Sequence, residues 1–124
     1  MTESLFTRIG GKPAVEAAVG KMYDKILADP LLKPFFEGLD MARQRRSQVA
    51  FMVMAFGGPH HYTGADLTKA HARLVKEKGM ADNHFDAVAG HLKAALTELS
   101  VPPAMIDEVL ALVGTTRDAV FGRA

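Results

Sequence analysis

Apolar residues return at helical spacing along most of the chain. In the clearest stretch, for which Asn83 is the predicted N-cap, they recur every three or four residues: Phe85, Val88, Leu92, Leu96 and Leu99. Pairs of glycine or proline separate such stretches. Runs of β-branched residues, which favour strands, are missing. The pattern therefore predicts an all-α protein.

The glycine and proline pairs also set the limits of the other predicted helices. In chain order they cover 4–9, 13–28, a helical turn over 29–38, 40–56, a segment around His71 that ends at Gly79, and a last helix that opens at the proline pair 102–103. Asp40 is the predicted N-cap of the helix over 40–56, because its carboxylate can accept from the first free backbone N–H groups.

His71 lies on an apolar helical stripe. Leu67, His71, Leu74 and Val75 fall at i, i+4, i+7 and i+8, so a helix here would turn the imidazole inward. A buried imidazole needs partners for its ring nitrogens, and a metal is one such partner. Taken by itself, a histidine on such a stripe is more often a packed core residue than a metal ligand.

Polar side chains also face inward on the two preceding long helices. Gln44 and Gln48 project between the apolar residues of the helix over 40–56, and burying an amide without a partner costs about 1–3 kcal/mol. They either bond the backbone or each other, or form a polar patch inside an apolar cavity. Tyr23 flanks the apolar face of the helix over 13–28. Its hydroxyl reaches either water or the same cavity.

Several short motifs occur in a specific order along the chain: Gly10-Gly11, Tyr23, Phe35-Phe36, Gln44 with Gln48, Gly57-Gly58-Pro59, Tyr62-Thr63-Gly64, His71 and the run from His84 to Leu92. Their order and spacing resemble the truncated haemoglobin family, group I, from Leu5 to about Val113. The resemblance implies a two-over-two helical sandwich that encloses one haem b.

The same resemblance implies roles for individual residues. His71 would be the proximal ligand, coordinating the iron through Nε2. The other implied positions are Phe36 with Phe35 on the haem face, Tyr23, Gln44 and Gln48 over bound dioxygen, and Phe51 and Met52 along the pocket or the apolar route into it. Beyond the resemblance, the basic run of Arg43, Arg45 and Arg46 is typical of a solvated helix face.

Arg43 and Arg46 would also suit the haem propionates, and His84, near a helix N-terminus, could approach one of them. Because His84 and His91 are seven residues apart on one helix flank, a surface zinc site is the alternative for this pair. No histidine follows His91, whereas family members that attach haem covalently use one in the last helix, so we expect non-covalent haem.

The function implied is reversible dioxygen binding, with carbon monoxide and nitric oxide as further ligands. Oxidation of nitric oxide to nitrate would need an external reductase, and whether the chain is an enzyme stays open. The alternative is a redox or gas-sensing haem protein with six-coordinate iron. Ser47 argues against it, because it stands where some members carry a distal histidine. A haem-free helical interaction module with a methionine-rich core is a third hypothesis.

Composition narrows these choices. A chain of 124 residues with 48% hydrophobic content suits one domain over 1–124. A net charge of +1 with interspersed signs gives no electrostatic case for nucleic acid. The absence of cysteine excludes disulfides, iron–sulfur clusters and haem thioether bonds. Without a signal peptide or a long apolar run, we expect a cytoplasmic protein that does not bind membranes.

Overall fold

A computed structural model describes residues 4–58 and 64–123, and its regular elements are all helical. The α-helices are α1 (Leu5–Ile9), α2 (Gly11–Leu27), α3 (Met41–Ala55), α4 (Gly64–Lys78), α5 (Asp82–Glu98), α6 (Pro103–Gly114) and α7 (Arg117–Val120), with a short 3-10 helix at Lys33–Phe36 before α3. Pro59, His60, His61, Tyr62 and Thr63 lie outside the described residues, as does the side chain of Leu67.

The first two helices are joined by a turn at Gly10. The Oγ atom of Ser4 accepts a hydrogen bond from the backbone N–H of Thr7 over 3.2 Å and caps α1. Gly10 then adopts a φ of +118°, a region that side-chain-bearing residues rarely enter, and this turn ends α1. The second helix begins at Gly11, two residues before the predicted start at Pro13.

The N-termini of α3 and α5 are built differently. Asp40 caps α3 as predicted, since its Oδ1 atom accepts from the N–H groups of Ala42 (3.1 Å) and Arg43 (3.2 Å). The prediction of Asn83 as the cap of α5 is wrong, because α5 begins at Asp82. Instead, the Nδ1 atom of His84 accepts from the N–H of Ala81 over 2.9 Å, as a residue at the third helical position can reach back to the cap.

The core is formed by two pairs of helices. The second helix packs against α3 and α5, and α5 packs against α6, which makes a sandwich of α2 with α3 and α5 with α6. The side chains of α2 that are almost completely buried in it are Val15, Ala18, Val19, Met22, Tyr23 and Ile26. No helix within residues 4–58 and 64–123 is both long enough and apolar enough to cross a membrane.

Two small elements complete the fold. The 3-10 helix lies where a helical turn was predicted and buries Phe35. The seventh helix has only four residues and was not predicted, because so short a segment carries no helical periodicity. It packs against α4, the helix that carries His71.

Candidate functional site

A cavity opens beside the sandwich, bounded by α2, the 3-10 helix, α3, α4 and α5. It contains about 710 Å³ of space not filled by protein atoms, part of it open to solvent, and its walls are mainly apolar. The predicted site residues that line it are Tyr23, Phe35, Phe36, Gln44, Gln48, Phe51, Met52, His71 and His84.

Tyr23 is buried in the wall formed by α2. Its side chain is only 2% exposed, and its ring meets Phe36 edge-on with 5.6 Å between the ring centroids. The hydroxyl oxygen accepts a hydrogen bond from Nε2 of Gln44 over 3.3 Å. Between the two orientations left open by the sequence, the hydroxyl therefore turns to the cavity side and not to bulk water.

Burial also controls the protonation of this phenol. It raises the pKa of Tyr23 to about 12, because the charged phenolate would lose its hydration. The hydrogen bond from Gln44 and the positive charge of Arg45 act in the opposite direction but do not cancel the effect of burial. At neutral pH the side chain is a neutral hydroxyl that can donate a proton in a hydrogen bond.

Gln44 and Gln48 lie one turn apart on α3, both half-buried, and both reach the cavity. Gln44 is engaged by Tyr23. The side-chain amide of Gln48 forms no hydrogen bond among the described residues and lines the cavity, so it can serve a molecule there. In the part of the chain that the structure describes, no fully buried side-chain nitrogen or oxygen lacks a partner.

His71 enters the cavity from α4 and is half-buried. Its ring lies beside Phe51 of α3, with 6.4 Å between the ring centroids and 65° between the ring planes. Leu74, three residues later on α4, is buried and also lines the cavity. The helical stripe inferred from the sequence therefore places the imidazole and an aliphatic side chain on the same cavity wall.

His84 is the second imidazole of the cavity. Its ring packs edge-on against Phe35 with 4.6 Å between the centroids. Because its Nδ1 atom accepts from the N–H of Ala81, the neutral ring carries its proton on Nε2, which is then a donor. His91 does not join His84; its Nε2 atom lies 2.8 Å from Oδ2 of Asp29. Over residues 4–58 and 64–123 no cluster of three or more histidines and carboxylates could hold a metal.

Two predicted positions lie outside the cavity, and several residues that the sequence analysis did not assign to the site line it. Arg43 and Arg46 are exposed on α3 and do not line it. Val88 and Leu92 of α5 do line it, and the periodicity of α5 could have identified them. Met80 and Val120 also contribute, but no local pattern marks them, since they reach the cavity only through the packing of α4, α5 and α7.

The chain matches known proteins along nearly its whole length. The family model described as bacterial-like globin matches residues 4–122. The group 1 truncated haemoglobin GlbN of Synechocystis sp. is 45% identical over 111 residues, which cover 90% of each chain. The group 1 truncated haemoglobin of Tetrahymena pyriformis is 38% identical, covering 98% of this chain and 97% of that one.

A solved structure is similar to this chain in fold as well as in sequence. The 2/2 haemoglobin of Synechococcus sp. PCC 7002, solved in the cyanomet state with covalently attached haem, superposes with a TM-score of 0.89 at 43% identity. The superposition covers 98% of this chain and all of that one. The chain therefore belongs to the group 1 truncated haemoglobins, two-over-two helical globins that use haem to bind gaseous ligands.

Proposed function

We propose that this chain binds one haem b non-covalently through His71 and binds dioxygen reversibly beside Tyr23, Gln44 and Gln48. One observation carries the proposal: a single apolar cavity receives an imidazole from α4 and a hydrogen-bonded phenol and amide from α2 and α3. An apolar site with a few convergent polar groups is the usual form of a cofactor site.

The residues present fit haem b. The porphyrin ring is apolar, and the walls offer aromatic faces from Phe35 and Phe36. A histidine is the usual proximal ligand of a globin, and the chain has no cysteine to supply a thiolate or a thioether bond. When bound, haem supplies a ferrous iron atom with one coordination position for a diatomic gas.

His84 and the two arginines suit the carboxylates of the porphyrin. The Nε2–H of His84 is a donor at the cavity wall, so it can bond one propionate. Arg43 and Arg46 lie exposed on α3, where a propionate that leaves the cavity could reach them. A guanidinium binds a carboxylate through two parallel hydrogen bonds.

Tyr23 and the two glutamines favour a ligand that gains negative charge on binding. The oxygen of Tyr23 already accepts from Gln44, so the phenol proton stays available for a second acceptor in the cavity. Gln48 offers a further N–H donor. Hydrogen bonds to a polarised ligand strengthen in a site of low dielectric constant, and dioxygen gains more from them than carbon monoxide.

The haem is proposed to be non-covalent because the chain has no histidine after His91. His84 also lines the cavity, and a histidine beside haem can form a covalent bond to one of its vinyl groups, so covalent attachment has to be tested. We expect acidified organic solvent to extract all of the pigment from the protein. Pigment that stays with the polypeptide would contradict non-covalent binding.

Absorption spectroscopy of the haem-loaded protein and of His71→Ala tests the proposal. The wild type should show a Soret band and, when reduced without added ligand, a five-coordinate ferrous spectrum. The variant should lose haem or its normal ligation, and added imidazole should restore a ligated spectrum. A six-coordinate low-spin ferrous spectrum would favour the redox or sensing alternative, which Ser47, exposed on α3, does not support. A protein that takes up no haem would favour the interaction module.

Oxidation of nitric oxide is a second candidate activity. Phe51 and Met52 give the cavity an apolar wall that suits an apolar gas. One nitric oxide and one dioxygen together supply the atoms of nitrate, and the iron gives up one electron, which an external reductase must return. Rapid mixing of the dioxygen-loaded protein with nitric oxide should yield ferric protein and one equivalent of nitrate. Slow or absent nitrate formation would exclude this activity.

A further inference from the structure

The helix that carries His71, α4, is supported by the segment that contains α7. Among the described elements, α4 packs mainly against α7. The Oγ1 atom of Thr68 donates a hydrogen bond to the backbone oxygen of Ala119. A Cβ atom built on Gly122 would lie 3.4 Å from Cγ2 of Thr68, so the backbone approaches α4 closely here. Thr68 is three residues before His71, which places both on one side of the helix.

The seventh helix cannot hold this position by itself. A helix of four residues is too short to be stable in isolation, so tertiary contacts must fix it. Arg117 supplies the first of them. Its Nη1 atom donates to Oδ1 of Asp82 over 3.0 Å, and its Nη2 atom donates to Oδ1 of Asp86 over 2.5 Å. The same guanidinium lies 4.4 Å above the centre of the Phe85 ring.

Arg123 adds a second tie at the other end of the segment. Its Nη2 atom donates to Oδ2 of Asp82 over 2.6 Å, and its guanidinium lies 4.5 Å from the centre of the Phe121 ring. Hydrogen bonds from Arg123 and Arg117 lower the pKa of Asp82, so this carboxylate stays charged at neutral pH. Because Arg117 and Arg123 both bind the carboxylate of Asp82, they connect residues 117–123 to the first turn of α5.

We propose that Arg117 and Arg123 are positioning residues for His71. Bound to Asp82 and Asp86, they hold α7 against α4 and so fix the helix that presents the imidazole to the cavity. We call these four residues the C-terminal clamp. Val120 and Phe85 are buried in the cavity wall, and the guanidinium of Arg117 lies over the ring of Phe85, so movement of the clamp changes the wall as well. The inference rests on the proposed role of His71.

Arg117→Gln tests the clamp, with Arg8→Gln as its matched control. Arg8 donates to Glu108 over 2.6 Å, and the side-chain exposures of that pair (35% and 48%) resemble those of Arg117 and Asp82 (30% and 50%). The Arg8 pair joins α1 to α6, and neither of these helices packs extensively against α4. Both substitutions remove one positive charge, but Arg8→Gln removes one ion pair and Arg117→Gln removes two, those to Asp82 and Asp86. The control therefore shows how much of the effect comes from losing a surface charge and an ion pair alone.

The first measurement does not depend on iron. Hydrogen exchange of the purified protein, followed by mass spectrometry, should show amides of α4 exchanging roughly five- to tenfold faster in Arg117→Gln and unchanged in Arg8→Gln. Arg117→Lys should fall between the two, because a single ammonium group does not bridge two carboxylates as a guanidinium does. Equal exchange of α4 in both variants would overturn the proposal.

The second measurement reads the imidazole itself. In the reduced protein without added ligand, the iron–histidine stretching band of the resonance Raman spectrum should shift or broaden in Arg117→Gln and stay in place in Arg8→Gln. Haem transfer to an apoglobin acceptor should quicken roughly five- to tenfold only in the former. If Arg117→Gln fails to fold, Asp86→Asn removes one bond of the clamp and should show the same changes more weakly.

The outcomes distinguish this inference from the proposed function. If His71→Ala leaves the haem spectrum intact, the role of His71 is wrong, whatever the arginine variants do. If His71→Ala loses ligation while Arg117→Gln keeps wild-type exchange in α4 and a wild-type stretching band, the clamp alone is refuted.

Discussion

Gln44 donates a hydrogen bond to the hydroxyl oxygen of Tyr23 and so joins α3 to α2 across the cavity wall. The 3.3 Å contact uses the acceptor side of the hydroxyl and leaves its proton for another partner. A phenol whose oxygen is engaged in this way is oriented before any ligand arrives. The donor is therefore preorganised, and little ordering is needed when a ligand binds.

Removal of the hydroxyl in Tyr23→Phe should speed dioxygen release. A hydrogen bond to a charged or polarised acceptor is worth about 1.5–3 kcal/mol, which corresponds to a rate increase of roughly ten- to a hundredfold. Stopped-flow displacement by excess carbon monoxide measures the rate. The carbon monoxide dissociation rate of the same variant is the control, because it should change much less. An unaltered dioxygen rate would mean that the hydroxyl does not reach the ligand.

The raised pKa of Tyr23 predicts that its phenol stays protonated at moderately alkaline pH. Because burial raises this pKa to about 12, the phenol should remain a donor well above the usual value near 10. The folded state prefers the neutral phenol, so its contribution to stability is complete below pH 10 and is lost as pH rises through about 12. Ultraviolet titration of tyrosinate should show a step near pH 12 that is missing in Tyr23→Phe. A step near 10 that this substitution removes would refute the prediction.

The Asp29–His91 pair predicts a dependence of stability on acidic pH. The hydrogen bond from His91, and then the N–H of Leu31, lower the pKa of Asp29. Its carboxylate therefore stabilises the fold above its ordinary pKa of 3.8, and this contribution disappears as pH falls through the lower folded value. Asp29→Asn should be less stable than wild type at pH 6, and the difference should shrink towards pH 2.

Denaturant unfolding at several pH values measures this difference. Asp107→Asn provides the control, because Asp107 is exposed on α6 and forms no ion pair within the described residues. It should show little change in stability at pH 6. A constant difference for Asp29→Asn at every pH would show that the carboxylate charge is not the source of its effect.

Gly58 and Gly90 predict opposite effects of the same substitution. A Cβ atom on Gly58 would lie 2.8 Å from the ring of Phe6 and 2.9 Å from Cγ1 of Val53, so Gly58→Ala forces the packing apart. We expect it to lower the free energy of unfolding by about 1–3 kcal/mol. Gly90 is exposed within α5, with nothing inside 4 Å of a built Cβ atom. Gly90→Ala should raise the free energy of unfolding by about 0.5–1 kcal/mol.

Chemical denaturation of both glycine variants, together with the wild type, supplies the comparison. Since Gly58 follows α3 and packs on α1, its variant also reports how firmly these helices are joined. Equal stability of the two variants would mean that the close approach at Gly58 relaxes without cost.

Sequence patterns found most of the helices because helix formation depends on neighbours along the chain, whereas most of the cavity residues were expected from the resemblance to a family. Asp40 caps α3 through N–H groups two and three residues away, and Gln44 and Gln48 share a face because they are four residues apart. The cap of α5 escaped prediction because an imidazole, His84, replaced the expected asparagine. Its Nδ1 atom can accept as an amide oxygen can, but histidine is not a usual capping signal.

The sequence by itself determined which side chains each helix turns inward, since a period of 3.6 residues sets the face on which His71, Gln44 and Gln48 lie. Only the tertiary structure decided how these faces meet. The bond from Gln44 to Tyr23 spans 21 residues, and those from Arg117 to Asp82 and Asp86 span 35 and 31. Such contacts depend on how helices pack, and local periodicity carries no information about partners that far apart along the chain.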